Sequence, residues 1–145
     1  MINSTLFGLA LAPLYTAIAT VESDKGATSD NVYQIREIYV IDANRTVEKW
    51  ASAFNGRPGI VFSADDVKNR KKSELMMLYY WDTWGRHYEK KTGNPVTYEV
   101  IARIHNGGPL GWKKPVTLQY WERVRRVMQQ QTQADVNAWA KGGVK

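Results

Sequence analysis

The chain contains no cysteine among its 145 residues. No disulfide can staple it and no thiolate can bind a metal; with only two histidines, a zinc site is not expected either. The missing cysteine is compatible with a reducing or an oxidising compartment and selects neither. Acidic residues are few beside basic ones, 14 against 20, which leaves a formal net charge of +6. Such a balance suggests an anionic partner: nucleic acid, a membrane surface or an acidic cell-wall polymer. It also serves solubility alone. The basic residues gather only loosely, at Lys68–Lys72 and Arg123–Arg126, without a nucleic-acid-binding motif around them. A nucleic-acid partner is therefore not expected. A long apolar run is missing too. Thr5 to Val21 is nearly uncharged, but Pro13 interrupts it and the first basic residue is Lys25. A membrane span needs about 20 apolar residues, and a secretory signal needs a positive residue ahead of its apolar core. The segment reads instead as a buried first helix, with no stable membrane insertion.

Aromatic residues, by contrast, are abundant: 12% of the chain, with six Trp and eight Tyr. They supply core volume and flat faces for stacking on sugars or bases. The length suits one domain with a core of its own. Pro13 fits a first helical turn, and Leu14, Ile18 and Glu22 follow at helical spacing, with Val21 beside them. The polar stretch 24–31 is turn-forming. Val32 to Arg45 reads as a short strand leading into a helix, and Asn55–Gly59 as a loop. Ser63 is the expected N-cap of a long helix reaching about Lys91, with Asp65 and Asp66 in its first turn and Met76, Tyr80 and Trp84 on one side. Thr97 caps the next helix, whose core side is Val100, Ile101 and Ile104. Thr117 starts a last one through Met128. The expected class is mainly helical, with at most a small β-hairpin between Asp24 and Ile35.

Glu22 continues an apolar stripe at a helix C-terminus. Burial and the helix dipole both favour its neutral form, and a protonated carboxyl is what protonation of a glycosidic oxygen requires. The bland alternative is a surface glutamate that ends a helix. A two-carboxylate glycosidase needs a partner acid. Asp24, Asp30 and Asp42 are available, and spacing selects none of them. Farther on, His105-Asn106-Gly107-Gly108-Pro109 stops a helix. Paired glycines let a polymer approach the backbone closely, Asn106 offers an amide, and Trp112, Tyr120 and Trp121 offer faces. A plain glycine cap followed by proline explains the stop equally well.

Taken in order, Ile18–Ser23 (IATVES), Tyr33–Ile35 (YQI), Ile101–Gly108 (IARIHNGG) and Tyr120–Val124 (YWERV) resemble the lysozyme-like superfamily. They look most like its soluble lytic transglycosylase branch in compact phage or bacterial form. The resemblance implies a mainly α, lysozyme-like α+β fold with any hairpin beside the cleft. It further implies a single catalytic domain over residues 1–128 and a polar tail, partly docked or frayed, over 129–145. The implied reaction is cleavage of the β-1,4 bond between N-acetylmuramic acid and N-acetylglucosamine, with Glu22 as the single general acid and base and a 1,6-anhydro product. A peptidoglycan hydrolase (muramidase) and a non-catalytic wall-binding descendant of the fold are the alternatives. Carried over by position, Ser23, Gln34, Asn106, Gly107 and Tyr120 become substrate-binding residues, and Tyr33, Tyr39, His105 and Trp112 become cleft candidates. No metal or cofactor is implied. The expected partner is the peptidoglycan glycan strand, the expected state a monomer, and the expected setting a phage virion or delivery from a host cytoplasm to the periplasm and wall. One departure stands out: Asn31 occupies the place of the family's glycine, and asparagine tolerates left-handed geometry better than other residues.

Overall fold

The computed structural model describes residues 8–23, 30–53 and 61–142. Five α-helices account for most of them: α1 (Leu11–Ser23), α2 (Glu37–Ala53), α3 (Arg70–Thr92), α4 (Tyr98–Gly107) and α5 (Thr117–Gly142). Short 3₁₀ turns at Ala64–Lys68 and Gly111–Lys113 precede α3 and α5. The fold is mainly α, and the described residues form no strand. Where a strand was expected from Val32, the chain makes a turn and enters α2. Residues 24–29 of the anticipated hairpin, the loop 55–59 and residues 5–7 of the apolar N-terminal stretch lie outside the described residues.

Each helix follows from its apolar stripe and its ends. In α1, Leu14, Ala17, Ile18 and Val21 are buried at i, i+3, i+4 and i+7, and Glu22 continues that face at 4% exposure. On the opposite side Thr16 and Thr20 return their hydroxyls to the carbonyls four residues back. The long helix begins later than Ser63. Ser63 caps only the first 3₁₀ turn, in a capping box with Asp66. Asn69 then adopts extended backbone and caps α3 itself, its side chain accepting from Lys72 N–H at 3.0 Å. Gly93, at φ 74°, closes α3 in left-handed geometry. Thr97 caps α4 through Val100 N–H at 3.3 Å, as the sequence indicates.

The end of α5 differs from expectation. It does not stop near Met128 but runs on to Gly142, since no glycine or proline interrupts Thr117–Lys141 and the Gln- and Ala-rich stretch favours helix. Only Thr117, Tyr120 and Val124 of this helix are buried.

In the core, α1 packs on α5, α2 on α3, and α4 touches α3, α5 and the second 3₁₀ turn. Trp81 of α3 is fully buried and stacks on Tyr15 of α1, ring centroids 5.4 Å apart. Tyr15 also donates to the Glu74 carbonyl at 2.9 Å, which ties the two helices at a second point. No described helix is long and apolar enough to cross a membrane.

Candidate active site

A groove of about 630 Å³ opens where the C-terminal ends of α1 and α4 meet the turn before α2. Glu22, Gln34, Tyr39, His105 and Asn106 line it together with Gly107 and Gly108. Residues from three of the four motif stretches are thus gathered in one place, joined by Tyr39. Glu22 is the only acidic residue of the described lining.

Behind Glu22 lies Tyr120, 3% exposed. Burial, then the charge of the Glu22 carboxyl and a hydrogen bond to it, push the Tyr120 phenol well above its ordinary value. The hydroxyl therefore keeps its proton at neutral pH beside the carboxyl. Tyr39 is likewise raised, first by burial and then by neighbouring tyrosines. Its ring stacks on Tyr80, another lining residue, at 3.6 Å between centroids.

The turn carrying Gln34 is fixed by Asn31. The Asn31 side chain accepts from Ile35 N–H at 2.9 Å and donates to the Ile35 carbonyl at 2.8 Å. Gln34 N–H and the Gln34 amide both donate to the Asn31 carbonyl, at 3.1 and 2.8 Å. Among the described residues other than glycine, the one at positive φ is Gln34, at 53°. The suggestion that Asn31 replaces glycine by tolerating left-handed geometry is therefore corrected: Gln34 takes that geometry, and Asn31 works through its side chain. Asn31→Ala removes a two-bond clamp and should destabilise the fold by about 1–2 kcal/mol. Urea unfolding of the variant beside the parent measures it.

His105 joins this turn to α2. A carbonyl can only accept, so Nε2–H donates to the Tyr33 carbonyl at 2.8 Å, and the neutral ring's Nδ1 accepts from the Tyr39 hydroxyl at 3.1 Å. The glycine corner has its own support. Arg103, 8% exposed, donates to Thr117 Oγ1 at 2.8 Å, to the Lys114 carbonyl at 3.1 Å and to Glu99 at 3.2 Å. Gly108, at φ 85°, needs the freedom of glycine, and a Cβ on Gly107 would lie 2.5 Å from the Thr117 methyl. Asn106, half-buried at the end of α4, lines the groove.

Four expected residues fall outside the lining, Tyr120 behind Glu22 among them. Ser23 is exposed and caps back onto the Thr20 carbonyl at 2.9 Å. The Tyr33 ring is fully buried, its hydroxyl donating to Glu74 and accepting from Arg70, so only its backbone serves the site. Trp112 packs edge-on against Tyr88, centroids 5.1 Å apart. Trp121 borders a separate apolar hollow with Tyr98 and Met128. Of the partner acids, Asp30 is exposed and outside the lining, and Asp24 lies outside the described residues. Asp42 is outside the lining too; its side chain is only 12% exposed and pairs with Arg45 at 3.2 Å. Sequence reasoning missed Arg36, Ile38 and Lys114 in the lining. Arg36 stands two residues after Gln34, and Lys114 lies inside the aromatic-flanked corner, so proximity to named motifs was the signal available.

No protein-family profile matches the chain. Individual proteins do. The chain is 32% identical over 104 residues to a lysozyme of Meretrix lusoria, spanning 72% of this chain and 71% of that protein. The chain belongs to the invertebrate-type lysozymes. An invertebrate-type lysozyme of Ruditapes philippinarum is 30% identical over 104 residues, covering 72% of this chain and 64% of its own length. A lysozyme of Magallana gigas is 38% identical over 71 residues, 49% of this chain and 48% of its own length. The fold is similar to a chain in the crystal structure of Aeromonas hydrophila PliI in complex with Meretrix lusoria lysozyme. There the TM-score is 0.55 at 29% identity, over 79% of this chain and 88% of that one.

This membership corrects the branch expected from sequence. This chain carries the Glu-Ser, Gln-Ile and Asn-Gly-Gly motifs that pointed to soluble lytic transglycosylases. Those motifs specify a helix end, a turn and a corner, and such geometry does not say which oxygen accepts the cleaved sugar. The transglycosylase and lyase assignments are overturned with the branch, and so is the phage or virion setting. The relatives come from Meretrix lusoria, Magallana gigas and Ruditapes philippinarum, not from phages.

Proposed function

We propose that this invertebrate-type lysozyme is a muramidase, hydrolysing the β-1,4 bond between N-acetylmuramic acid and N-acetylglucosamine in peptidoglycan, with Glu22 as general acid. The observation that carries the reading is the placement of Glu22: a carboxyl 4% exposed that nonetheless lines the groove, with no other described acid beside it. Glu22 gives its proton to the bridging oxygen as the bond from that oxygen to muramic C1 breaks, through an oxocarbenium-like transition state. A water oxygen then bonds to C1, its proton returns to the Glu22 carboxylate, and the product is a reducing muramic end. Asn106 and Gln34 supply amides for the sugar's acetamido and hydroxyl groups, and the Tyr39–Tyr80 stack supplies an aromatic wall. The polymer is anionic and the chain carries a net charge of +6, so attraction between them should weaken with salt.

The test is the product. Purified sacculi digested with the protein and reduced with borohydride should yield reduced muramic ends by mass spectrometry, each cleavage adding one water. A digest dominated by 1,6-anhydro ends, or a wall suspension that never clears, overturns the reading.

A further inference from the structure

The described groove lining holds one carboxyl, Glu22, and two cations, Arg36 and Lys114. The cations come from separate elements: Arg36 opens α2, its carbonyl accepting from Tyr39 N–H at 2.9 Å, and Lys114 follows the second 3₁₀ turn. Neither forms an ion pair with a carboxylate among the described residues, whereas Arg45, Arg70, Arg86, Arg103 and Arg125 each do. Lys114 is nonetheless positioned, because its Nζ donates to the Gly107 carbonyl at 2.6 Å, on the glycine corner itself. An ammonium held there by one proton keeps two more for a ligand. Both side chains are exposed.

A neutral sugar chain offers two such cations hydrogen-bond acceptors but no counter-charge. The glycan of a bacterial wall differs from a neutral N-acetylglucosamine polymer by the lactyl-linked peptide on every second sugar, whose free carboxylates are anionic. We propose that Arg36 and Lys114 bind carboxylates of this stem peptide, so that the groove selects peptide-bearing glycan by charge. The inference rests on the proposed muramidase reading for the identity of the polymer. Its chemistry is charge-assisted hydrogen bonding from guanidinium and ammonium to carboxylate, moderated by solvent because both side chains are exposed.

The experiment compares two strands of equal length, one with free stem carboxylates and one with the same carboxylates converted to methyl esters. Glu22→Gln protein is used for binding, so that no turnover intervenes, and Kd is measured on each strand. The free-acid strand should bind about tenfold tighter than the ester, and 0.5 M salt should shrink the ratio. Adding Arg36→Gln and Lys114→Gln should bring the ratio close to one. Arg36→Gln alone should lower it part-way, and its side chain makes no hydrogen bond among the described residues, so a failure to fold at the corner cannot imitate the result. Equal affinity of the starting protein for both strands, or a ratio that survives both substitutions, overturns the proposal. Cleavage is read separately on Glu22 protein: selective binding without any lysis would sink the muramidase reading and leave the charge selection standing.

Discussion

Glu22→Gln should lower the rate at which the protein clears a cell-wall suspension by about 10²–10⁴-fold, the usual contribution of a positioned general acid. Glutamine keeps the shape of the side chain beside Tyr120, but it has no acidic proton to deliver to a leaving oxygen. Thermal unfolding should shift by no more than a few degrees, since the buried contact with Tyr120 survives the exchange. Turbidity decay and a melting curve on the same preparation separate the two effects. Activity within threefold of the parent would remove Glu22 from the chemistry. A collapse of both activity and melting temperature would show instead that the carboxyl holds the end of α1 in place.

The second large effect is structural. Arg103→Ala is expected to destabilise the protein by about 3 kcal/mol, because a charged donor with three acceptors is deleted from a nearly closed site. Thr117 Oγ1 also lies 2.7 Å from the Gly111 carbonyl and 2.8 Å from that of Lys114, so the guanidinium organises a cluster of oxygens that would otherwise face one another. The Glu99 contact contributes little, because the Glu99 side chain is 43% exposed. Thr117→Val should cost about 1–2 kcal/mol, and the double variant less than the sum, since the two side chains share one interaction. Denaturant unfolding of the four proteins forms the cycle. Strict additivity would mean that Arg103 and Thr117 stabilise the corner independently.

Much of this site could be read from residue order, and the reasons are local. Burial of Glu22 follows from its register with Leu14, Ile18 and Val21. The cap at Thr97 is a chemical signal carried by a single residue, and the corner at Gly107–Gly108 announces itself. The unread parts depend on tertiary partners. Nothing near Tyr33 in sequence says that its ring turns inward to Glu74 and Arg70, and nothing near Arg103 says that its charge is spent on Thr117, 14 residues away. The Asn31 clamp was misread because asparagine has two talents, tolerance of positive φ and side-chain bonding to nearby backbone, and composition does not say which is in use. The branch was misread because the motifs mark where a proton donor sits rather than what attacks the sugar. Trp112 was drawn to the cleft by its position in an aromatic-rich segment, yet ring-on-ring packing with Tyr88 satisfies it elsewhere.

The imidazole of His105 has a mechanical consequence. One nitrogen grips the backbone before Gln34 while the other grips α2 through Tyr39, and the ring itself rides on α4 just ahead of the glycines. Three segments distant in the chain are riveted at a single point, so none can swing without dragging the rest. Deuterium uptake at the amides of residues 33–35 and 106–108 should then proceed at one shared rate, as a hinged plate opens, instead of as independent flickers of separate loops.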